Sequence, residues 1–443
     1  MIINLSPFLS LLLISVILQW VLGCGGSDGK PIWTVMVYMA GDNNLSGALL
    51  NDLGEMEAVG STGLVNVIVQ IDTFGGAAKR FLVKRGQSIL LEDLGERNMA
   101  DPQTLKDFVL WAKTDYPAMR YALILSSHGD GLAKRLPYHP KERIQWRILQ
   151  DDTDGVRCCL SNTLVRQALE DAGIYFDLLG FDASQMGQIE TAYEFRNLSD
   201  ILVFSQETGE AHGWDYTAIL RALRNNPLME GRELARVIVD SYRTFYEEVF
   251  YPENPEKEQY LTISAIQLKS SMNDMAMEIN RLAEGVNGIL AGDQTEAGEA
   301  LLTAVSEARN LAQELNPLTS PYVYVDLMDL IRNLKNALNR YPDLSVELQL
   351  QLQNVIDSAG IILSMKEDII IAEYHGKDRP KANGLSITFF RLPEALQYQQ
   401  YYEISSLFDP YTGEGSQVQF FHDTRWDEFL QTYYQKAGLL GPS

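Results

Sequence analysis

Short apolar blocks alternate with amphipathic stretches through the first half of the chain. "IWTVMVYMA" (Ile32–Ala40) and "LVNVIVQID" (Leu64–Asp72) are almost continuously apolar and rich in β-formers, the pattern of strands buried on both faces. "RYALILSS", "FDLLGFDA" and "DILVFSQET" repeat that pattern further on. Between them, "SGALLNDLGEMEAVG", "DPQTLKDFVLWAKTDYP", "LSNTLVRQALEDAG" and "QMGQIETAYEFRN" read as helices. Asp101 followed by Pro102 is a helix start, and the turn "GDNNLSG" offers Asp42, Asn43 and Asn44 for capping. "AKRFLVKR" and "SILLEDLG", joined by a short polar link, predict an edge hairpin. Strands alternating with helices imply an α/β fold with a parallel sheet covered on both faces.

From about Pro255 the pattern changes to long helical periods, as in "SMNDMAMEINRLAEGVNGIL" and "EAGEALLTAVSEARNLAQEL". Two late strands, "DIIIAEYHG" and "GLSITFF", precede a closing helix, "DEFLQTYYQKA". The expected division is a signal segment over 1–23, a leader over 24–31, an α/β domain over 32–254 and a mostly helical region over 255–443. No repeat of fixed period is present.

The start of the chain adds a location to this picture. "FLSLLLISVILQWVL" ends at "VLGC" and then "GGSDGK", an order that resembles a bacterial lipoprotein signal with lipid on Cys24. An uncleaved anchor helix is the other reading, because the apolar run approaches spanning length. Both place the rest of the chain outside the cytoplasm, in the cell envelope and on a membrane. The net charge of −23 opposes nucleic-acid binding. Besides Cys24 only Cys158 and Cys159 remain, neighbours that close a disulfide only with strain. The five histidines are scattered, so no Cys/His metal pattern and no cofactor motif is expected. "DDTDG", with Asp151, Asp152 and Asp154, lacks the spacing of a calcium loop.

Ligands of open α/β sheets bind beyond the carboxyl ends of the strands. Two strands here end suggestively, one in His128-Gly129 and the other in Asp182-Ala183-Ser184. An apolar block ending in His-Gly and a later one ending in this kind of turn resemble the caspase-like cysteine peptidases. The motifs "WTVMVYMAGDNNL", "ALILSSHGDG", "GFDASQMGQIETAYEF", "SQETGEAHGWDY", "ANGLSITFF" and "HDTRWDEFLQTYY" resemble those of the clostripain family, in the family's order.

That resemblance implies a three-layer sandwich with a mostly parallel sheet and a mostly helical C-terminal region. It implies cleavage after Arg or Lys, His128 as the catalytic histidine, and Asp182 as the carboxylate that pairs with the basic side chain. Gly129 and the N–H of Ser184 take the oxyanion-stabilising positions. At the nucleophile position the family has cysteine, and this chain has Ser184. A thiol near its pKa of about 8.5 ionises readily beside a histidine. A hydroxyl attacks only if a base removes its proton in the same step, with a carboxylate commonly orienting that base. Asp130 is close to His128 in sequence. The expectation is therefore weak or absent cleavage. The alternatives are a pseudopeptidase that binds basic peptides without cutting them, and a surface scaffold. Relatives in the family cut themselves in the region of the basic stretch Lys134, Arg135, Lys141, Arg143 and Arg147; the other reading is a solvated loop whose basic residues balance Asp151, Asp152 and Asp154. His212 is read as a rim or structural residue, and His139, His375 and His422 have no supporting context.

Overall fold

The computed structural model describes residues 29–131, 147–151, 158–292, 296–315, 324–340, 346–390 and 418–438. The apolar N-terminal run with Cys24 lies outside these residues. So do Lys134, Arg135, His139, Lys141, Arg143, Asp152 and Asp154. Among the described residues no helix is long and apolar enough to cross a membrane.

The strands are β1 (Trp33–Gly41), β2 (Val65–Thr73), β3 (Ala78–Lys84), β4 (Gln87–Gly95), β5 (Arg120–Ser126), β6 (Gly129–Gly131), β7 (Arg147–Asp151) and β8 (Cys158–Leu160). They continue with β9 (Leu178–Asp182), β10 (Ile201–Phe204), β11 (Thr262–Gln267), β12 (Glu314–Leu315), β13 (Tyr324–Asp326), β14 (Ile370–His375) and β15 (Ser386–Thr388). Among the described residues a nine-stranded sheet forms in the order β14-β11-β10-β9-β5-β1-β2-β3-β4. Its centre, β10-β9-β5-β1-β2, is parallel. Antiparallel strands close each edge, β11 and β14 on one side and the hairpin β3–β4 on the other.

Alternation along the strands separates two cores. On β1, Met36, Tyr38 and Ala40 face one side, with Leu123, Leu125 and Phe181 from the neighbouring strands. Val35, Val37 and Met39 face the other, with Ala122, Ile124 and Leu178. The first face is covered by the helices Pro102–Asp115 and Asn162–Ala172, the second by Ser46–Val59, Tyr216–Asn225 and Gly231–Phe245. All nine residues of β1 are buried, which a strand covered on both faces requires. The result is an α/β sandwich of three layers.

Beyond residue 255 the long helices Lys269–Leu290, Glu296–Leu311, Leu327–Leu338 and Trp426–Lys436 enlarge the first core. Two strands of that region, β11 and β14, belong to the main sheet. β11 is missing from the reading of the hydrophobic pattern, which has only helices between residue 255 and the late strands. Asp101 caps its helix by accepting from the Gln103 N–H at 3.0 Å. The turn at Asp42–Asn44 does something else. The helix it precedes has Leu45 at its N-cap, with no side-chain cap. Asn43 instead ties the turn together, donating to the carbonyls of Ala40 and Gln150.

Candidate active site

The strand register brings the two suggestive turns together. β5 and β9 pair in parallel with Ser126 opposite Asp182. Two residues further along each strand stand His128 and Ser184. Gly129 packs so tightly on the second turn that an added Cβ would lie 2.4 Å from the Ser184 carbonyl oxygen. Only glycine permits that approach, which explains the His-Gly pair in physical terms.

The turn after β9 is strained. Gln185 adopts φ 56°, a left-handed conformation uncommon for a residue with a side chain. Several bonds hold it there. Its N–H donates to the Glu207 carbonyl at 2.9 Å, its side chain to Thr208 Oγ1 at 2.9 Å, and its carbonyl accepts from Gln188. The C-terminal region braces the same turn, since Ser386 donates to the Gly187 carbonyl through both its N–H and its hydroxyl, each at 2.9 Å. Ser184 is thereby presented at the strand end, half-buried. Its Oγ accepts from the Gly209 N–H at 3.0 Å. Among the described residues nothing accepts from the Ser184 N–H, which suits an oxyanion donor.

His128 is half-buried, and its Nε2 lies 2.8 Å from Asn44 Oδ1. With that amide oxygen accepting, Nε2 carries the proton and Nδ1 is the basic nitrogen of the ring. Asn44 therefore orients the histidine rather than capping a helix.

Below these turns lies a cavity of about 190 Å³, lined by His128, Ser184, Asp182, Asp52, Glu210 and Trp214 among others. Asp182 forms part of its wall. Its Oδ2 accepts from the Tyr216 hydroxyl at 2.9 Å and the Trp214 N–H at 3.3 Å. Gly213, at φ 57°, passes close by, and a Cβ there would meet Asp182 Oδ2 at 2.8 Å. Burial pushes the Asp182 carboxyl up to about 6, with the bonds from Tyr216 and Trp214 pulling it back. At neutral pH it is an anion facing a cavity.

Two more acids lie on the helix Ser46–Val59. Burial, then the charges of Asp182 and Glu55, push Asp52 up to about 9. Burial chiefly pushes Glu55 to about 7, and it accepts from the Tyr216 N–H at 3.0 Å. Asp52, Glu55 and Gln185 are not among the site residues expected from the sequence, and Asn44 was expected only as a cap. Asp52 did leave a trace: three residues after Leu49 and four before Met56, it falls on the helix's apolar stripe.

The remaining candidates lie elsewhere. The backbone of Cys158 and Cys159 forms β8, whose partner β7 also pairs with β6 beside His128. His212 is exposed and packs against the rings of Phe245 and Phe250, with centroids 5.9 and 5.3 Å away. His375 pairs with Glu373 and His422 with Asp423.

Comparison with known proteins bears on the fold and the family. The model of the clostripain family matches residues 37–433. Clostripain of Hathewaya histolytica is 28% identical over 221 residues, a match that spans 43% of this chain and 42% of that protein. A secreted cysteine protease of Bacteroides thetaiotaomicron, solved with an irreversible peptide inhibitor, is similar with a TM-score of 0.59 at 21% identity, over 85% of this chain and 99% of its own. An inactive zymogen protease of Parabacteroides distasonis gives 0.58 at 21% identity, over 84% and 96%. At such identities the solved structures speak for the fold. The family match, which covers most of the sequence, goes further: this chain belongs to the clostripain family.

Proposed function

We propose that the site binds peptides through an Arg or Lys side chain and, with Ser184 at the position where the family has its nucleophilic cysteine, hydrolyses them weakly or not at all. The observation that carries this is the register of β5 and β9, which sets His128 and Ser184 side by side over a cavity walled by the Asp182 carboxylate. A guanidinium or ammonium entering that cavity meets an anion held in place by Tyr216 and Trp214. The bond to be cut would lie across Ser184, its carbonyl oxygen near the Ser184 N–H.

The weakness is chemical. Asn44 fixes the histidine ring but brings no negative charge to stabilise the imidazolium that forms when a hydroxyl loses its proton. A hydroxyl needs such support more than a thiol does, since the thiol ionises beside an imidazole without it. By the same reading the chain is held in the cell envelope by lipid on Cys24. Cys24→Ala should then leave the membrane fraction or retain its signal segment, and unchanged processing with unchanged retention would refute the anchor.

The pocket is tested by calorimetry at pH 7 with a peptide ending in Arg and the same peptide ending in citrulline, its uncharged analogue. A charged hydrogen bond is worth roughly 1.5–3 kcal/mol, so Asp182→Asn should weaken binding of the Arg peptide by about ten- to a hundredfold. Equal affinity of the native protein for both peptides would refute the basic-residue pocket.

A further inference from the structure

Asp52 has no evident place in a fold whose other buried charges find partners. It sits on the helix Ser46–Val59, 3% exposed, with its side chain on the cavity wall. Among the described residues no N–H, hydroxyl or cation hydrogen-bonds it. The groups that act on it are Asp182, which lines the same cavity, Glu55 on its own helix and Tyr216, whose hydroxyl is bound to Asp182. His128 and Glu210 line the same cavity. A buried carboxyl without donors costs stability, and an amide or apolar residue would occupy the position more cheaply. Asp182 has a comparable opening, since both of its bonds fall on Oδ2 and no described donor reaches Oδ1.

Resting on the reading of Asp182 as a pocket for basic side chains, we propose that Asp52 is a second specificity-determining acid, so that the bound cation lies between two carboxylates. The cavity, at about 190 Å³, has room for such a group where roughly 30 Å³ would hold one water. In the empty cavity Asp52 keeps its proton, because burial and the two neighbouring acids hold its carboxyl up to about 9. A cation between the carboxyls reverses the balance, and Asp52 releases the proton to solvent. At pH 8 Asp182, near 6, has already ionised and Glu55, near 7, mostly so, while the Tyr216 hydroxyl stays protonated. Asp52 is therefore the main source of a proton released at that pH, and the Asp52→Asn variant isolates its share.

The test is calorimetry at pH 8 in two buffers of different ionisation enthalpy, with the Arg peptide and its citrulline analogue. The native protein should release about one proton on binding the Arg peptide. Asp52→Asn should release none and bind that peptide about tenfold more weakly, while citrulline affinity stays unchanged. If the native protein prefers Arg and Asp182→Asn loses the preference, yet no proton is released and Asp52→Asn binds like the native protein, this inference falls and the Asp182 pocket stands. If the native protein does not distinguish Arg from citrulline, both fall together. Should Asp52→Asn fail to fold, the proton count on the native protein decides by itself: a release of none overturns the inference.

Discussion

Asp326 and Asp52 are both buried aspartates, one in the helical C-terminal region and one beside the cavity, and their surroundings are opposite. Asp326 is fully buried and accepts from four N–H groups: those of Asp329 and Asn383 in the backbone, and the side-chain amides of Asn383 and Gln206. It caps the helix Leu327–Leu338 and links it to the segment before β15. Burial pushes its carboxyl up, the donors pull it down, and it comes to rest at about 6. Asp52 is almost as buried, has no donor among the described residues, and is held at about 9 beside two further acids. A buried carboxyl surrounded by donors serves the fold. One surrounded by acids and facing a cavity is explained by what enters the cavity.

The comparison can be broken by stability measurements. Asp326→Ala removes a charge-assisted acceptor and leaves buried N–H groups unpaired, so it should cost about 3 kcal/mol or more in urea unfolding. A loss under about 1 kcal/mol would show that the four bonds do not hold this region together. Asp52→Asn should behave in the opposite way. Its folded carboxyl lies far above the unfolded value of about 3.9, so the proton's contribution to stability is complete below pH 4 and is lost as pH rises towards 9. The asparagine variant escapes that loss. At pH 9 it should be more stable than the native protein by at least about 1 kcal/mol, with the gap closing as pH falls towards 4. Scanning calorimetry across this range checks the sign, and a native protein equally stable at both ends relative to the variant would contradict it.

How much of this was legible in the sequence follows from range. β1, β5 and β9 announce themselves as apolar runs, and His128 and Ser184 stand just past the ends of two of them, whereas the roles expected of Gly129 and Asp182 rest on the family resemblance. The edge hairpin and the cap at Asp101 are equally local. β11 was not legible, because six residues among long helical periods carry too little periodic signal, and its place is fixed by pairing with β10 and with β14 a hundred residues on. Asn44 looked like a cap, since Asn in a turn before a helix usually is one. Its actual partner is 84 residues away. The Gly209 N–H on Ser184 Oγ and the Tyr216 hydroxyl on Asp182 are long-range in the same way. Asp52 alone left a local sign, as the one acid on the buried stripe of its helix.

The central claim is that the strand-end site is complete except for the chemistry of Ser184, and turnover tests it most directly. Ser184→Cys should be assayed beside the native protein on reporter peptides with Arg, Lys or citrulline before the leaving group. Losing the nucleophile costs roughly a millionfold in turnover in subtilisin, so restoring a thiol should raise cleavage by several orders of magnitude. That cleavage should need Arg or Lys, and His128→Ala in the cysteine variant should abolish it. A folded Ser184→Cys protein that cleaves none of the peptides would contradict the account. So would a native protein that cleaves as fast as the cysteine variant in a His128-dependent way, which would make Ser184 a working nucleophile.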